Sequence, residues 1–148
     1  MTPPTRHIAR GDRDEWLRMR TALWPDEHGP EVDRYYRGEI PDMVVLVSPR
    51  PTGGLWGMAE WGLRPWAEGC LTSPVGYLEG IWTDPDARRK GVGSSLFRAG
   101  AAWARGRGCV ELASDCALDN EVSYRFHLSL GFQEVERIIC FRRDAQVT

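Results

Sequence analysis

A glycine-containing basic turn lies between two apolar patterns near the middle of the chain. The run Tyr77 to Thr83 predicts a buried strand, and Arg88-Arg-Lys-Gly-Val-Gly93 leads into a pattern that predicts a packed helix. Glycine lets the backbone approach a ligand closely, and free N–H groups at a helix start favour an anion. The three basic side chains add positive potential, so the segment predicts a phosphate or pyrophosphate site. Taken alone, the pattern is more typical of an exposed basic turn that caps a helix.

Glu79 is the acidic residue inside the first of these apolar runs. A carboxylate with apolar neighbours costs free energy unless it has a partner or a task. A positioned carboxylate can accept a proton in catalysis, which makes Glu79 a candidate catalytic group. A strand residue that faces solvent is the structural alternative.

Several other chemistries lack their motifs. No Gly-Lys-Ser/Thr ends the basic turn, which excludes a P-loop, and the Gly-x-Gly-x-x-Gly dinucleotide fingerprint is missing. The four cysteines form no CxxC pair and no zinc spacing with histidine, so no metal site is predicted and a metal-dependent hydrolase is disfavoured.

Composition bounds the class of protein. The chain has 148 residues, 19 basic and 21 acidic side chains, and seven tryptophans. This aromatic content excludes a disordered chain, and the charge balance excludes a strongly basic protein that coats nucleic acid. No apolar run is long enough for a membrane span, and the N-terminus does not read as a secretory signal, so we expect a cytoplasmic protein.

Hydrophobic patterning predicts one α+β domain in which strands flank and alternate with helices. Asp12 and Glu15 predict a capping box at the first helix, and Trp24-Pro25 predicts its end. The predicted strands cover residues 6–10, 43–47, 55–62, 75–83, 110–114 and 132–143, and the predicted helices begin after Asp12, at Glu31, at Ser94 and after Asp119 or Asn120.

The order strand, glycine turn, helix, then Asn120 and Leu130-Gly131-Phe132 resembles the GCN5-related N-acetyltransferase superfamily. The resemblance covers nearly the whole chain. It implies a mixed central β-sheet flanked by helices, a single domain of residues 1–148, acetyl-CoA as co-substrate and no metal.

A closer resemblance is to the aminoglycoside 6′-N-acetyltransferases. It implies transfer of the acetyl group to the 6′-amine of an aminoglycoside in a ternary complex, antibiotic resistance, and a homodimer. The matches run in order from the first predicted helix to the last predicted strand: Leu23-Trp24-Pro25, Gly69-Cys70, Ser73-Pro74, Leu78-Glu79-Gly80-Ile81, Ala113-Ser114-Asp115, Asn120, His127, Leu130-Gly131-Phe132 and Glu136-Arg137.

The resemblance also implies roles for individual residues. Glu79 and Asp115 are the candidates that bind the reactive amine or take its proton, with water as a third candidate for the base. Trp24, Trp66 and Glu136 would line the substrate groove. The residues implied for the cofactor are Ile81, Trp82, Thr83, Arg88, Arg89, Lys90, Gly91, Val92, Gly93, Ser94 and Asn120.

Structural alternatives accompany these roles. Asp115 follows a predicted strand and can serve as a turn or cap residue, Trp24 can belong to the core, and Asn120 can be a helix N-cap. Glu136 can form a surface ion pair with Arg137.

The sequence does not determine which group protonates the departing thiolate. The wider superfamily often has tyrosine where this chain has His127, and Tyr124 lies one turn earlier. His127, Tyr124 and water are therefore the three candidates, and a packed histidine on a helix is the structural alternative for His127.

Two other functions remain as alternatives. One is acetylation of a different amine, such as a polyamine, a peptide N-terminus or a lysine. The other is an acyl-CoA sensor that binds without turnover, although a binding protein has no need of Glu79 and Asp115. For the homodimer, the last predicted strand offers an apolar surface: Ile138, Ile139, Cys140 and Phe141.

Overall fold

A computed structural model describes residues 2–146 and divides the chain into two compact units, Met1–Asp115 and Cys116–Thr148. The first unit contains a five-stranded sheet in the order β1-β2-β3-β4-β5. Neighbouring strands are antiparallel except β4 and β5, which are parallel. The strands are β1 (Arg6–His7), β2 (Met43–Pro49), β3 (Leu55–Arg64), β4 (Val75–Thr83) and β5 (Leu112–Ser114). The mixed sheet of the predicted fold is confirmed.

Three helices of the first unit cover this sheet: α1 (Arg13–Leu23), α2 (Gly29–Tyr36) and α3 (Val92–Gly106). Successive strand residues point to opposite faces, so β2 contributes Val45 and Val47 to one core and Val44 and Leu46 to the other. The first core contains Trp16 and Met19 of α1, and the second contains Leu96 of α3. Because both faces are covered, β2 is apolar from Met43 to Val47 rather than alternating.

Two local predictions for the first unit are wrong. Asp12 makes no capping bond to α1, because its carboxylate binds Arg6 at 2.7 Å and accepts the Ala9 N–H at 2.8 Å. Glu15 accepts the Leu55 N–H at 2.9 Å instead of returning to the start of the helix. Asp12 is therefore occupied by residues that precede it and Glu15 by β3, so the predicted capping box does not form. The first strand is also shorter than predicted, since β1 ends at His7.

The second unit contains one helix, α4 (Glu121–Ser129), within its described residues. Asn120 caps it by accepting the Ser123 N–H at 3.1 Å, and Gly131, at φ +92°, follows its end. The predicted strand over 132–143 is wrong, because the described residues 132–146 pair with no strand of this chain. A strand needs a neighbour for its N–H and C=O groups. The single domain remains a prediction.

Within residues 2–146, no helix is long and apolar enough to cross a membrane.

Candidate active site

Glu79 is the extra residue of a β-bulge in β4. Across the ladder Glu60 of β3 lies opposite Gly80, and Trp61 lies opposite Leu78, so Glu79 has no partner of its own. Bulges re-aim side chains and are frequent beside active sites. A Cβ on Gly62 would lie only 3.3 Å from Glu79 Oε2, which shows that the carboxylate lies against the backbone of β3 where no side chain intervenes.

Arg64 and Tyr77 join the two predicted catalytic carboxylates. Arg64 donates from Nε to Glu79 Oε2 at 3.0 Å and from Nη2 to Oε1 at 2.7 Å. Its guanidinium carbon lies 3.5 Å from the centre of the Tyr77 ring. The Tyr77 hydroxyl in turn donates to Asp115 Oδ2. Burial, with the hydrogen bond to Asp115, raises the pKa of Tyr77 well above its usual value, so the phenol stays protonated and remains the donor.

Glu79 also lies at the wall of a cavity of about 600 Å³. Six carboxylates line this cavity against a single arginine, Arg20, so its potential favours a polycation. The lining residues are Arg20, Trp24, Asp26, Glu27, His28, Glu31, Ile40, Asp42, Met43, Glu60, Gly62, Leu63 and Glu79.

Trp24 forms part of the wall next to Glu79. A Cβ on Gly80 would lie 2.4 Å from Trp24 Cη2, so the indole packs directly on the backbone of β4. The Arg20 guanidinium lies 5.1 Å from the Trp24 ring centre, a cation–π contact on the indole. Trp66 differs: it follows β3 in a loop, is 67% exposed, and does not line this cavity. Its stacking role stays a prediction.

A buried ion pair supports the wall of the cavity. Glu60 is 3% exposed, accepts the Trp16 indole N–H at 2.9 Å, and lies 3.5 Å from Arg20 Nε. Arg20 also donates to Glu31 at 3.0 Å. Burial raises the pKa of Glu60, and the charge of Arg20 opposes that shift. Removing one partner of such a pair leaves an uncompensated buried charge.

The far end of β4 is open on one side. β5 pairs with β4 only from Gly76 to Leu78, whereas β4 continues to Thr83. Among the residues that the structure describes, no strand pairs with this side of β4 beyond Leu78. Alternate N–H and C=O groups there are available to an extended ligand with amide groups.

The basic turn connects this open strand end to α3. Arg89 has φ +65°, and within residues 2–146 it is the one non-glycine residue with a positive φ. Gly91 has φ +84° and immediately precedes Val92, the first residue of α3. The N–H groups at the start of this 15-residue helix have no partner within the helix and suit an anion. Arg88 donates back to the Thr83 carbonyl at 3.3 Å.

Comparison with known proteins identifies the family. The model of the acetyltransferase (GNAT) family matches residues 13–132. The chain belongs to the GNAT acetyltransferase family. It is 43% identical over 147 residues to aminoglycoside N(6′)-acetyltransferase type 1 of Klebsiella aerogenes, covering 96% of this chain and 97% of the relative. It is 39% identical to the enzyme of that name from Acinetobacter genomosp. 13, covering 87% and 90%.

Solved GNAT structures agree with the fold. Aminoglycoside 6′-N-acetyltransferase AAC(6′)-IG from Acinetobacter haemolyticus has a TM-score of 0.89 and 33% identity, covering 97% of this chain and 99% of that one. AAC(6′)-Iy in complex with the bisubstrate analogue CoA-S-monomethyl-acetylneamine has a TM-score of 0.88 and 30% identity, covering 98% and 100%. The predicted superfamily and the closer resemblance are both confirmed.

The second unit of this GNAT chain carries the remaining predicted residues. Asn120 serves as the α4 cap, and Glu136 is exposed. The structural alternative for Glu136 is wrong, because the ion pair of Arg137 is with Glu134. His127 Nδ1 lies 2.7 Å from the Ser123 carbonyl oxygen, as in a packed helical histidine.

Sequence reasoning missed most of the GNAT site beyond Glu79 and Trp24. The five further carboxylates that line the cavity belong to the 26–42 stretch or to β3, and Arg64 ends β3. The sequence of β3 does contain one indication of these residues. Alternate residues of a strand share a face, which places Glu60, Gly62 and Arg64 on the same side. Among residues 2–146 no three histidine, cysteine, aspartate or glutamate side chains cluster as metal ligands.

Proposed function

We propose that this GNAT enzyme transfers the acetyl group of acetyl-CoA to the 6′-amino group of aminoglycoside antibiotics and thereby confers resistance to them. The observation that carries the proposal is the acidic cavity beside Glu79, because aminoglycosides are polycations and six carboxylates line this cavity. Relatives named aminoglycoside N(6′)-acetyltransferase match the chain over nearly its whole length.

The reaction is a direct transfer in a ternary complex. The 6′-ammonium loses one proton to Glu79, Asp115 or water, and the neutral amine attacks the thioester carbonyl carbon. A C–N bond forms and the C–S bond breaks, the amide nitrogen gives up its second proton to the same base or to water, and the thiolate leaves and takes up a proton from His127, Tyr124 or water. Holding the amine against the carbonyl carbon supplies the orientation that the step needs. A backbone N–H near Trp82 is the proposed donor to the oxyanion.

Acetyl-CoA fits the open end of β4 and the basic turn. The pantetheine arm carries amides that match the alternate backbone groups on the open side of β4 between Ile81, Trp82 and Thr83. The pyrophosphate matches the N–H groups and positive charge of the turn, which comprises Arg88, Arg89, Lys90, Gly91, Val92, Gly93 and Ser94. Asn120 is proposed as a further cofactor contact in addition to its capping bond.

Substrate binding follows from the same surfaces. Glu79 and Asp115 hold the reactive amine, and Trp24 supplies an apolar wall for a sugar ring. Trp66 and Glu136 are proposed as further contacts, by resemblance to the aminoglycoside enzymes.

A homodimer in the cytoplasm completes the proposal. Acetyl-CoA is an intracellular co-substrate, and all four cysteines are free thiols, which suits a reducing compartment. The described segment 132–146 joins no strand of the described sheet and exposes Val135, Ile138, Ile139 and Phe141. We propose that these apolar residues bury themselves against a second copy of the chain. No nucleic acid and no membrane takes part.

The test is release of the coenzyme thiol with matched acceptors. We expect turnover with a 6′-amino aminoglycoside such as kanamycin A and none with a 6′-hydroxy analogue. Glu79→Gln and Asp115→Asn should each lower kcat/KM by roughly tenfold or more, because each removes a charged hydrogen-bond acceptor for the amine.

Four outcomes contradict the proposal or its residue roles. Equal turnover of both aminoglycosides removes the 6′-amine specificity. Turnover confined to spermidine or lysine peptides favours a different amine. Acetyl-CoA binding with no transfer to any amine favours a sensor. Wild-type activity in both carboxylate variants would show that neither carboxylate serves the reaction.

A further inference from the structure

Arg64 lies where the proposed function puts the substrate amine. Its two N–H donors occupy both oxygens of Glu79, at 3.0 and 2.7 Å, and its guanidinium stacks on Tyr77, which donates to Asp115. The pair stands in partial contact with solvent, since the Arg64 side chain is 41% exposed and that of Glu79 is 31% exposed. No role for this arginine follows from the substrate contacts proposed above.

A carboxylate without a balancing positive charge does not favour acetylation of an amine that is bound to it. It binds the ammonium form and stabilises it, yet attack on a thioester requires the neutral form. A carboxylate whose charge is balanced by a guanidinium is different. Each oxygen of Glu79 has two lone pairs, so it can accept a hydrogen bond from an amine while it keeps the bond from Arg64. It then orients the amine without holding its proton.

We propose that Arg64 is a positioning residue that balances the charge of Glu79, so that the acceptor amine bound there gives up its proton at neutral pH. This inference rests on the proposed acetyl transfer and deepens it. The fork from Arg64 fixes the plane of the Glu79 carboxylate. The positive charge beside the amine disfavours the ammonium form, and the released proton passes to Asp115 or water before the nitrogen lone pair attacks the thioester carbon.

The surrounding charges make this role specific to Arg64. Tyr77 and Asp115 face the pair from β4 and from the end of β5, and Tyr77 stays protonated. The cavity carboxylates attract a polycation but oppose proton loss, and Arg20 is already engaged by Glu31 and Glu60. Among residues 2–146, Arg64 is the cation that forms an ion pair with Glu79. The charged and titratable groups that line the cavity with Glu79 are Arg20, Asp26, Glu27, His28, Glu31, Asp42 and Glu60.

The experiment compares Arg64→Gln with Arg64→Lys in the full-length enzyme. The rate constant kcat is measured from pH 5 to 9 with saturating acetyl-CoA and kanamycin B. In Arg64→Gln the acid limb of the kcat profile should shift to higher pH by about one unit. On that limb, kcat at a given pH should then be roughly tenfold lower. The KM for kanamycin B should stay the same or fall, because the unbalanced Glu79 binds ammonium more strongly. Arg64→Lys keeps the charge and should keep the wild-type limb.

Arg13→Gln is the matched control. Arg13 forms the same fork, to Asp33 at 2.8 and 3.1 Å, and its side chain is 37% exposed, but its partner Asp33 does not line the cavity as Glu79 does. Its pH profile should match that of the wild type. The inference is overturned if Arg64→Gln keeps the wild-type acid limb, or if its KM rises while kcat falls equally at every pH.

A second variant covers the case in which Arg64→Gln does not fold at the assay temperature. Glu79→Gln leaves Arg64 unbalanced beside the amine and should move the acid limb to lower pH, and an unmoved limb there overturns the inference. Failure of the proposed function itself is distinguishable, because it appears as a lack of aminoglycoside turnover in the wild type before any variant is compared.

Discussion

Trp24 packs directly on Gly80, so the wall of the proposed substrate cavity depends on the absence of a side chain at this position. A Cβ at Gly80 would lie 2.4 Å from Trp24 Cη2 and 3.1 Å from Leu23 Cδ2, so Gly80→Ala must displace the indole. We expect a loss of about 1–3 kcal/mol in the free energy of unfolding, typical of overpacking. The KM for aminoglycosides should rise several-fold, with little change in the KM for acetyl-CoA.

Steady-state kinetics and urea denaturation measure the two effects. Gly106→Ala is the control, because a Cβ at Gly106 meets nothing within 4 Å. An unchanged aminoglycoside KM in Gly80→Ala would show that Trp24 does not contact substrate.

The sequence predicts some residues of the site and not others. The unfavourable setting of Glu79 among apolar neighbours is visible in the sequence, and the structure places it at the cavity wall. Its partner Arg64 lies 15 residues earlier, and their contact depends on the register of β3 against β4 and on the bulge at Glu79. The local residue pattern determines neither the register nor the bulge. The contact between Arg64 and Glu79 can therefore be found only from the tertiary structure.

Asp84 connects three elements at the end of β4. It is 7% exposed and accepts hydrogen bonds from Arg18 of α1, from Arg50 after β2 and from the Trp82 indole, at 2.9 to 3.0 Å. Burial raises the pKa of Asp84, but the hydrogen bonds from Arg18, Trp82 and Arg50 outweigh it, and the net pKa is lowered. The stabilisation is therefore present above the unfolded pKa of about 4 and is lost as pH falls through the lower folded value.

Asp84→Asn should lower the free energy of unfolding by about 2 kcal/mol at pH 7, because two arginines lose a charged acceptor. The difference from wild type should shrink as pH falls below about 4, because the unfolded wild-type carboxylate is protonated first, and it should disappear below the lower folded pKa. Denaturant titrations at pH 7 and pH 3 measure both values. Asp86→Asn is the control: Asp86 also pairs with Arg50 but is largely exposed, so its loss should be much smaller. Equal losses at both pH values in Asp84→Asn would contradict this account.

At the scale of elements, hydrophobic periodicity predicts those strands and helices whose own apolar residues pack into a core. The apolar runs of β2, β3 and β4 and the stripe of α1 lie in the structure within a few residues of their predicted limits. The predictions fail where the local pattern does not specify the partner. Asp12 binds Arg6 and the Ala9 N–H, Glu15 binds Leu55 of β3, and residues 132–143 have strand-like composition but no strand beside them in the described chain.

The net charge of −2 for the whole chain conceals two opposed surfaces of the first unit. Carboxylates gather around the cavity beside Glu79, whereas Arg88, Arg89 and Lys90 gather at the turn before α3. One suits a polycationic acceptor and the other a polyanionic co-substrate, and β4 runs from one to the other. The total charge of the chain is uninformative because these two requirements nearly cancel.

The exposed apolar segment of the second unit predicts the state of assembly. Ile139 is 76% exposed and Phe141 is 92% exposed, and in a strand these two side chains would share one face. Exposed apolar area of this kind favours association, so light scattering should give twice the 16.8 kDa mass of one chain. Ile139→Asp should give monomers, whereas Val122→Asp, on the exposed α4 surface, should leave the dimer intact. A monomeric wild type, or equal dissociation of both variants, would place the interface elsewhere or exclude it.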